Sequence, residues 1–241
     1  MPASVGRTLI VMPALNEEAT IETVIAEVRS TVPAAAILVI DDGSTDRTAR
    51  RARDAGARVA SLPFNLGVGG AMRLGFRIAV AEGFTNVVQL DSDGQHDPAN
   101  VPRLIDALEQ ADVVIGARFA GEGEYHVTGP RWWAMRALAG ILSRTTKTRL
   151  TDTTSGFKAN GPRAIEVFAR EYPAEYLGDT IEALVLASRS GLMVRQVPVA
   201  MRPRLGGTPS QSPLKATRHL ARSFLALGFA LARPRDQEAA A

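Results

Sequence analysis

The chain contains no cysteine, which removes disulfide frameworks, thiolate metal sites and a cysteine nucleophile from consideration. Histidine is nearly as scarce. His96, His126 and His219 stand at spacings that no zinc site uses, so each is expected at the surface or behind a site rather than as a ligand. No basic start followed by an apolar run of signal-peptide length is present. No apolar stretch reaches the roughly 18 to 20 residues that a spanning helix needs, so the chain is not expected to cross a bilayer by itself.

What is present suits a globular α/β protein. Of 241 residues, 46% are hydrophobic and 22% charged, enough to bury one sizeable core or a core with an appendage. The net charge of +3 and pI near 9.7, with basic residues thickening in the last third, favour anionic partners such as nucleotide diphosphates and lipid headgroups. Nucleic acid is not expected, because the aromatics are scattered and acids gather at the predicted crevice.

Continuous apolar runs at Thr8-Leu-Ile-Val-Met12, Ala36-Ile-Leu-Val-Ile40, Arg58-Val-Ala-Ser-Leu62, Val87-Val-Gln-Leu90 and Asp112-Val-Val-Ile-Gly116 read as strands, the longer ones buried on both faces. Helices alternate with them. Ile21, Val24, Ile25 and Val28 recur at helical spacing, which predicts a helix over about 17–30 with Asn16 as N-cap. Gly67, Gly69 and Gly70 open a further helix after the third strand. A dinucleotide fingerprint belongs after the first strand, so this cluster reads as close packing. The alternation argues for an open, mostly parallel twisted sheet with helices on both faces.

In such sheets ligands sit outside the C-terminal ends of the strands. Three polar turns, at 13–18, 41–46 and 91–97, fall at that edge. Asp91-Ser-Asp93 is the centre of them. Strand alternation would put both carboxylates on one side, where their repulsion calls for a cation. Mg²⁺ or Mn²⁺, hard ions that keep positions open for phosphate oxygens, fit such a pair, with Gln95 adding a neutral oxygen or orienting a water. The plainer alternative is a solvated turn capping the next helix, since Asp97-Pro98 reads as an N-cap followed by proline at N1.

Residues 119–130 read as a flexible loop and a candidate flap, and 131–142 as a helix whose paired tryptophans beside Arg131 and Arg136 suit a membrane interface or the core. A polar loop at 152–158 precedes a helix from Pro162 to about Arg170. Another helix at 179–190 carries Glu182, and a strand comes next at 193–199. Residues 201–210 form a basic loop of the sort that wraps phosphates. The domain is expected to end near 210, with an amphipathic helix within 211–234, lying on a lipid surface or docked on the core, and a disordered tail at 235–241.

Six motifs stand in one order: Pro-Ala-Leu-Asn-Glu at 13–17, Asp-Asp-Gly-Ser at 41–44, Asn-Leu-Gly-Val-Gly-Gly-Ala at 65–71, Asp-Ser-Asp-Gly-Gln at 91–95, Gly-Ala-Arg at 116–118 and Thr-Ser-Gly-Phe at 154–157. Together they resemble the GT-A glycosyltransferases of family-2 type, and within them the polyprenyl- and dolichyl-phosphate mannosyltransferases. The resemblance implies a GT-A fold and nucleotide contacts from Pro13, Leu15 and Glu17, with Ile40 and Asp42 at base and ribose. It implies that Asp91, Ser92 and Asp93 hold diphosphate and metal, assisted by Gln95. Arg118 would reach phosphate, as would Arg131 or Arg136, with Ser155 on the acceptor side. Arg204 and Gly207 match the family's last basic loop, whereas Pro209 and Ser210 replace its serine and lysine.

The implied reaction is inverting, metal-dependent transfer of a hexose, GDP-mannose being the favoured donor, to a polyprenyl phosphate. The phosphate is already an anion, so no strong general base is required, and Asp152 would be structural, orienting Lys158 or its own loop. The enzyme would work at the cytoplasmic, inner face of the cell membrane, with room for a small membrane-protein partner. The rival readings are a UDP-glucose or UDP-N-acetylhexosamine donor, a saccharide acceptor with Asp152 or Glu182 as base, a nucleotidyltransferase, and a non-catalytic module for anionic lipid or nucleic acid.

Overall fold

The computed structural model describes residues 7–118, 130–173 and 179–206. Seven strands form one sheet: β1 (Thr8–Ala14), β2 (Ala36–Asp41), β3 (Arg58–Ser61), β4 (Asn86–Gln89), β5 (Val113–Ala117), β6 (Lys158–Asn160) and β7 (Val194–Pro198), in the order β3-β2-β1-β4-β6-β5-β7. All neighbours are parallel except β6, which runs antiparallel to both β4 and β5. The sequence predicts no strand there. Lys-Ala-Asn carries neither β-branched residues nor apolar alternation, and it is extended because both flanking strands offer it ladder partners.

The continuous apolar runs arise from burial on both faces. Leu9 and Val11 point into one core layer and Ile10 and Met12 into the other. The first layer is closed by α3 (Gly67–Ala81), α5 (Pro130–Thr146), α6 (Pro162–Glu171) and α7 (Asp179–Arg189). The second is closed by α1 (Ile21–Thr31), α2 (Thr48–Asp54) and α4 (Val101–Asp106), the last flanked by 3-10 turns at Pro98–Asn100 and Ala107–Gln110. Asp97 caps this stretch as predicted, its carboxylate accepting from the Ala99 N–H at 2.9 Å ahead of Pro98.

Two local expectations change. The first helix begins at Ile21 rather than near Glu17, and Asn16 is not its cap. Asn16 sits at φ +55 with its side-chain oxygen accepting from the Thr45 N–H at 2.8 Å. Pro13 does not end β1 but lies inside it, in a central strand. Proline is tolerated because its nitrogen faces the β4 side, where the ladder has stopped at Val11, so no hydrogen bond is lost. Strand order reverses between β1 and β4, and the crevice outside their C-terminal ends is where an open α/β sheet binds ligands.

Phe76 of α3, 1% exposed, meets the rings of Phe168 and Tyr172 at 5.2 Å each and joins α3 to α6. Phe76→Ala is expected to lower unfolding stability by about 3–5 kcal/mol, measured by urea denaturation, with the secondary structure retained in the absence of denaturant.

Candidate active site

The three polar turns are tied to one another. The Asn16 N–H donates to Ser44 Oγ at 2.9 Å, that of Glu17 to Thr48 Oγ1 at 2.8 Å, and that of Glu18 to Asp46 Oδ2 at 3.2 Å. On the β4 side Ser92 Oγ donates to the Pro13 carbonyl at 3.1 Å, and Thr20 Oγ1 to the Ser92 carbonyl at 2.9 Å. The edge of the sheet is therefore a cross-braced rim, and several of its polar groups are used in the bracing.

That bracing engages part of the expected nucleotide set. The side chains of Pro13 and Ile40 are buried, as is Ser92, whose hydroxyl turns inward to β1. Asp42 is buried as well. Its two carboxylate oxygens accept the backbone N–H groups of Leu66 and Gly67, at 2.7 and 2.8 Å, at the start of α3. Burial pushes its carboxyl above the usual range, opposed by those two hydrogen bonds. The glycine cluster there is close packing, as the sequence implied: a Cβ on Gly70 would lie 2.6 Å from that of Leu66. Leu15, Glu17, Asp91 and Asp93 remain at the rim.

The acid pair is not aligned by strand alternation, because β4 ends at Gln89. A turn sets it instead. Gly94, at φ +80, reverses the chain; the Gln95 N–H donates to Asp93 Oδ1 at 2.9 Å, and the Asp91 N–H to Nδ1 of the buried His96 at 3.0 Å. The segment 201–206 runs beside this turn, joined by the Arg202 N–H to the Gln95 carbonyl and the Leu205 N–H to the Asp93 carbonyl. It delivers Arg204, whose Nη2 lies 2.8 Å from Asp93 Oδ2 and whose Nη1 lies 3.5 Å from Glu17 Oε1. Arg202 anchors the segment on Glu27 and Asp97. Burial raises the Glu17 carboxyl above its ordinary pKa; the Thr20 hydrogen bond and Arg204 oppose this, and the charges of Asp93 and Asp91 add to it.

The donor set fits a hard divalent ion. Two carboxylates and an amide, Asp91, Asp93 and Gln95, supply oxygens but fewer than a full shell, which leaves positions for phosphate and water. Asp93 already attracts a positive group in Arg204, and the side chain of Asp91 is 39% exposed toward the crevice. Among the described residues no group of three or more His, Cys, Asp or Glu side chains that could hold a metal ion is found.

The loop at 152–157 supplies the opposite wall. Asp152 is fully buried and binds Arg118 with both oxygens, at 2.6 and 2.9 Å, while accepting the backbone N–H groups of Arg118 and Thr154. Arg118 also donates to Thr154 Oγ1 at 2.7 Å. The guanidinium expected at phosphate is thus committed to fixing this loop, and Asp152 orients Arg118 rather than Lys158. Burial alone would raise the Asp152 carboxyl, but the Arg118 hydrogen bonds and charge and the backbone N–H groups hold it below the usual carboxylate range. Gly156 carries the loop against the acid pair: a Cβ there would lie 3.3 Å from both oxygens of Asp91.

Ser155, expected at the acceptor, is buried, with its Oγ accepting from the Phe157 N–H. Arg136 is exposed on α5 and Glu182 is half-buried on α7. The side chain of Arg131, the loop 119–129, Gly207, and the expected helix and tail at 211–241 lie outside the described residues. Sequence reasoning missed three features: the Arg118–Asp152 pair, the sharing of Arg204 between Asp93 and Glu17, and the placement of His96 against Asp91. Only the last left a signal, a histidine directly after the acidic turn.

The model of glycosyl transferase family 2 matches residues 9–171. The chain belongs to this family. Among its relatives, the undecaprenyl-phosphate mannosyltransferase of Micrococcus luteus is 32% identical over 80% of this chain and 82% of its own length. The polyprenol monophosphomannose synthase of Mycolicibacterium smegmatis is 31% identical over 66% of this chain and 63% of its own. Among solved structures, glucosyl-3-phosphoglycerate synthase from Mycobacterium tuberculosis, in complex with Mn²⁺, uridine diphosphate and phosphoglyceric acid, superposes with a TM-score of 0.71 at 25% identity, covering 97% of this chain and 81% of that one. The family-2 member described here is accordingly a glycosyltransferase with a GT-A-type fold, its α/β sheet matching the architecture expected from the motifs.

Removing Asp152 tests the loop brace. Asp152→Ala leaves the Arg118 charge without its partner and is expected to cost about 3–5 kcal/mol. A carboxyl depressed in the folded state contributes stability that is present above its unfolded pKa, near 4, and is lost as pH falls through the lower folded value. The stability gap between wild type and Asp152→Asn is therefore expected to be flat above about pH 5 and to shrink below about pH 4, as read from denaturant midpoints across pH.

Proposed function

We propose that this glycosyltransferase moves a hexose, mannose from GDP-mannose foremost, onto the phosphate of a polyprenyl phosphate with inversion at the anomeric carbon. The state of Asp152 carries this reading. Asp152, the carboxylate of the loop that meets the acid pair through Gly156, is buried and held at both oxygens by Arg118. A saccharide hydroxyl would need a general base, whereas a lipid phosphate arrives as an anion. The likeness to two polyprenyl-phosphate mannosyl enzymes supports the same acceptor class.

In this scheme Asp91, Asp93 and Gln95 hold Mg²⁺ or Mn²⁺, which when bound neutralises charge on the donor's diphosphate. Glu17 and Leu15 line the donor side of the crevice. Arg204, resting on Asp93 and Glu17, stands where it can pass to the leaving diphosphate and stabilise its growing charge. A phosphate oxygen of the lipid forms the new bond to the anomeric carbon as the bond to the diphosphate oxygen breaks. The electron pair leaves with the diphosphate, and no proton has to be removed.

The test is a panel of radiolabelled GDP-mannose, UDP-glucose and UDP-N-acetylglucosamine, each with Mg²⁺ or Mn²⁺ and offered polyprenyl phosphate or an oligosaccharide. Label in the lipid fraction from GDP-mannose is the expected result, and label in the oligosaccharide alone overturns the acceptor. Lipid labelling from UDP-glucose instead moves the donor to the nucleotide seen in the mycobacterial glucosyl-3-phosphoglycerate synthase structure.

The acceptor would be met at the cytoplasmic face of the membrane. No helix among the described residues is long and apolar enough to cross a membrane. Contact would fall to the basic, apolar stretch at 211–234, with Lys215, Arg218 and Arg222 beside Phe224 and Phe229. Deleting residues 214–241 is expected to abolish cosedimentation with anionic liposomes, and unchanged cosedimentation would remove this docking element.

A further inference from the structure

His96 is 3% exposed, and nothing in the proposed reaction uses it. The turn at Gly94 folds its ring back beneath the acid pair, where Nδ1 accepts the Asp91 N–H at 3.0 Å. An imidazole that accepts at Nδ1 carries its proton on Nε2, and Nε2 lies 3.6 Å from Asp91 Oδ2. That separation is too long for a hydrogen bond, and with Nδ1 turned to the Asp91 backbone the Nε2–H points elsewhere, so the hold of the ring on Asp91 is the one at its N–H. The flat of the ring stacks on fully buried Phe157, with centroids 4.9 Å apart and planes at 14°. Phe157 comes directly after Gly156, whose backbone closes on the other side of the Asp91 carboxylate. The backbone of His96 also bridges to Met201, at the start of the segment that brings Arg204.

We infer that His96 is the positioning residue for Asp91: its Nδ1 holds the backbone N–H of that aspartate, and its ring, seated on Phe157, fixes the place from which the carboxylate receives the divalent ion. The inference rests on the reading that Asp91 is a metal ligand. An acidic turn free to move at Asp91 would have to be ordered when the ion binds, at the cost of part of the binding free energy. The histidine removes that cost in advance, as groups behind a metal ligand commonly do.

The test uses the full chain and reads Mn²⁺ binding by electron paramagnetic resonance with GDP or UDP present, alongside circular dichroism and thermal unfolding. His96→Phe keeps a ring on Phe157 and removes both nitrogens. It is expected to weaken Mn²⁺ binding roughly 10- to 100-fold while the fold persists, and excess Mn²⁺ is expected to restore turnover. His96→Asn, which returns an acceptor near Nδ1, is expected to recover part of the loss. Wild-type Mn²⁺ affinity in His96→Phe overturns the inference, as does failure of asparagine to improve on phenylalanine. His96→Met replaces phenylalanine in the comparison should that variant not fold. No Mn²⁺ binding by the wild type would instead overturn the metal reading, and this inference with it.

Discussion

Carboxylates crowded at one end of a sheet set the terms for this molecule. Glu17, Asp91 and Asp93 come from two different turns yet share a crevice, and their mutual repulsion helps to hold the Glu17 carboxyl above its ordinary pKa. Arg204 answers that repulsion by resting on Asp93 and Glu17 together. The ion pair is partly buried, so it depends on geometry as much as on charge. Its geometry comes from the backbone ladder that seats residues 201–206 against the acidic turn. On the proposed reading a divalent ion held by Asp91 and Asp93 would take over this compensation and free the guanidinium for the donor's diphosphate.

Around this centre the rim divides its polar residues between frame and function. Asp42 and Asp152 are both buried acids, and both are consumed by local donors, one by backbone N–H groups at a helix start and one by an arginine. Consumed acids cannot take part in proton transfer, but they hold loops at fixed height above the sheet. The acids left at the crevice itself are Glu17, Asp91 and Asp93. Frame and crevice are thus served by different carboxylates of one rim.

Much of this was legible in the residues. Strands such as Leu9–Met12 and Ile37–Ile40 announce themselves because burial on both faces demands unbroken apolar runs, and the three acidic turns fall together because parallel strands end at the same edge. The features that escaped reading depend on partners distant in the chain. Asn16 resembles a helix cap until Thr45 is seen to bind its side chain. Lys158–Asn160 is extended only because strands on both sides demand it. The motif resemblance implies Ile40 and Asp42 at base and ribose and Ser92 at the diphosphate, whereas the direction of each side chain is decided by packing that no motif encodes.

The single reversed strand has a consequence for how the crevice is assembled. A parallel strand delivers to the crevice only the segment C-terminal to it. Because β6 enters from the opposite direction, the crevice also receives the segment N-terminal to a strand, the stretch 152–157. The acidic turns and the facing wall are thereby encoded on separate pieces of chain that meet where Gly156 closes on Asp91 and Phe157 on His96. A change in that one short stretch would therefore be felt on both sides of the crevice at once.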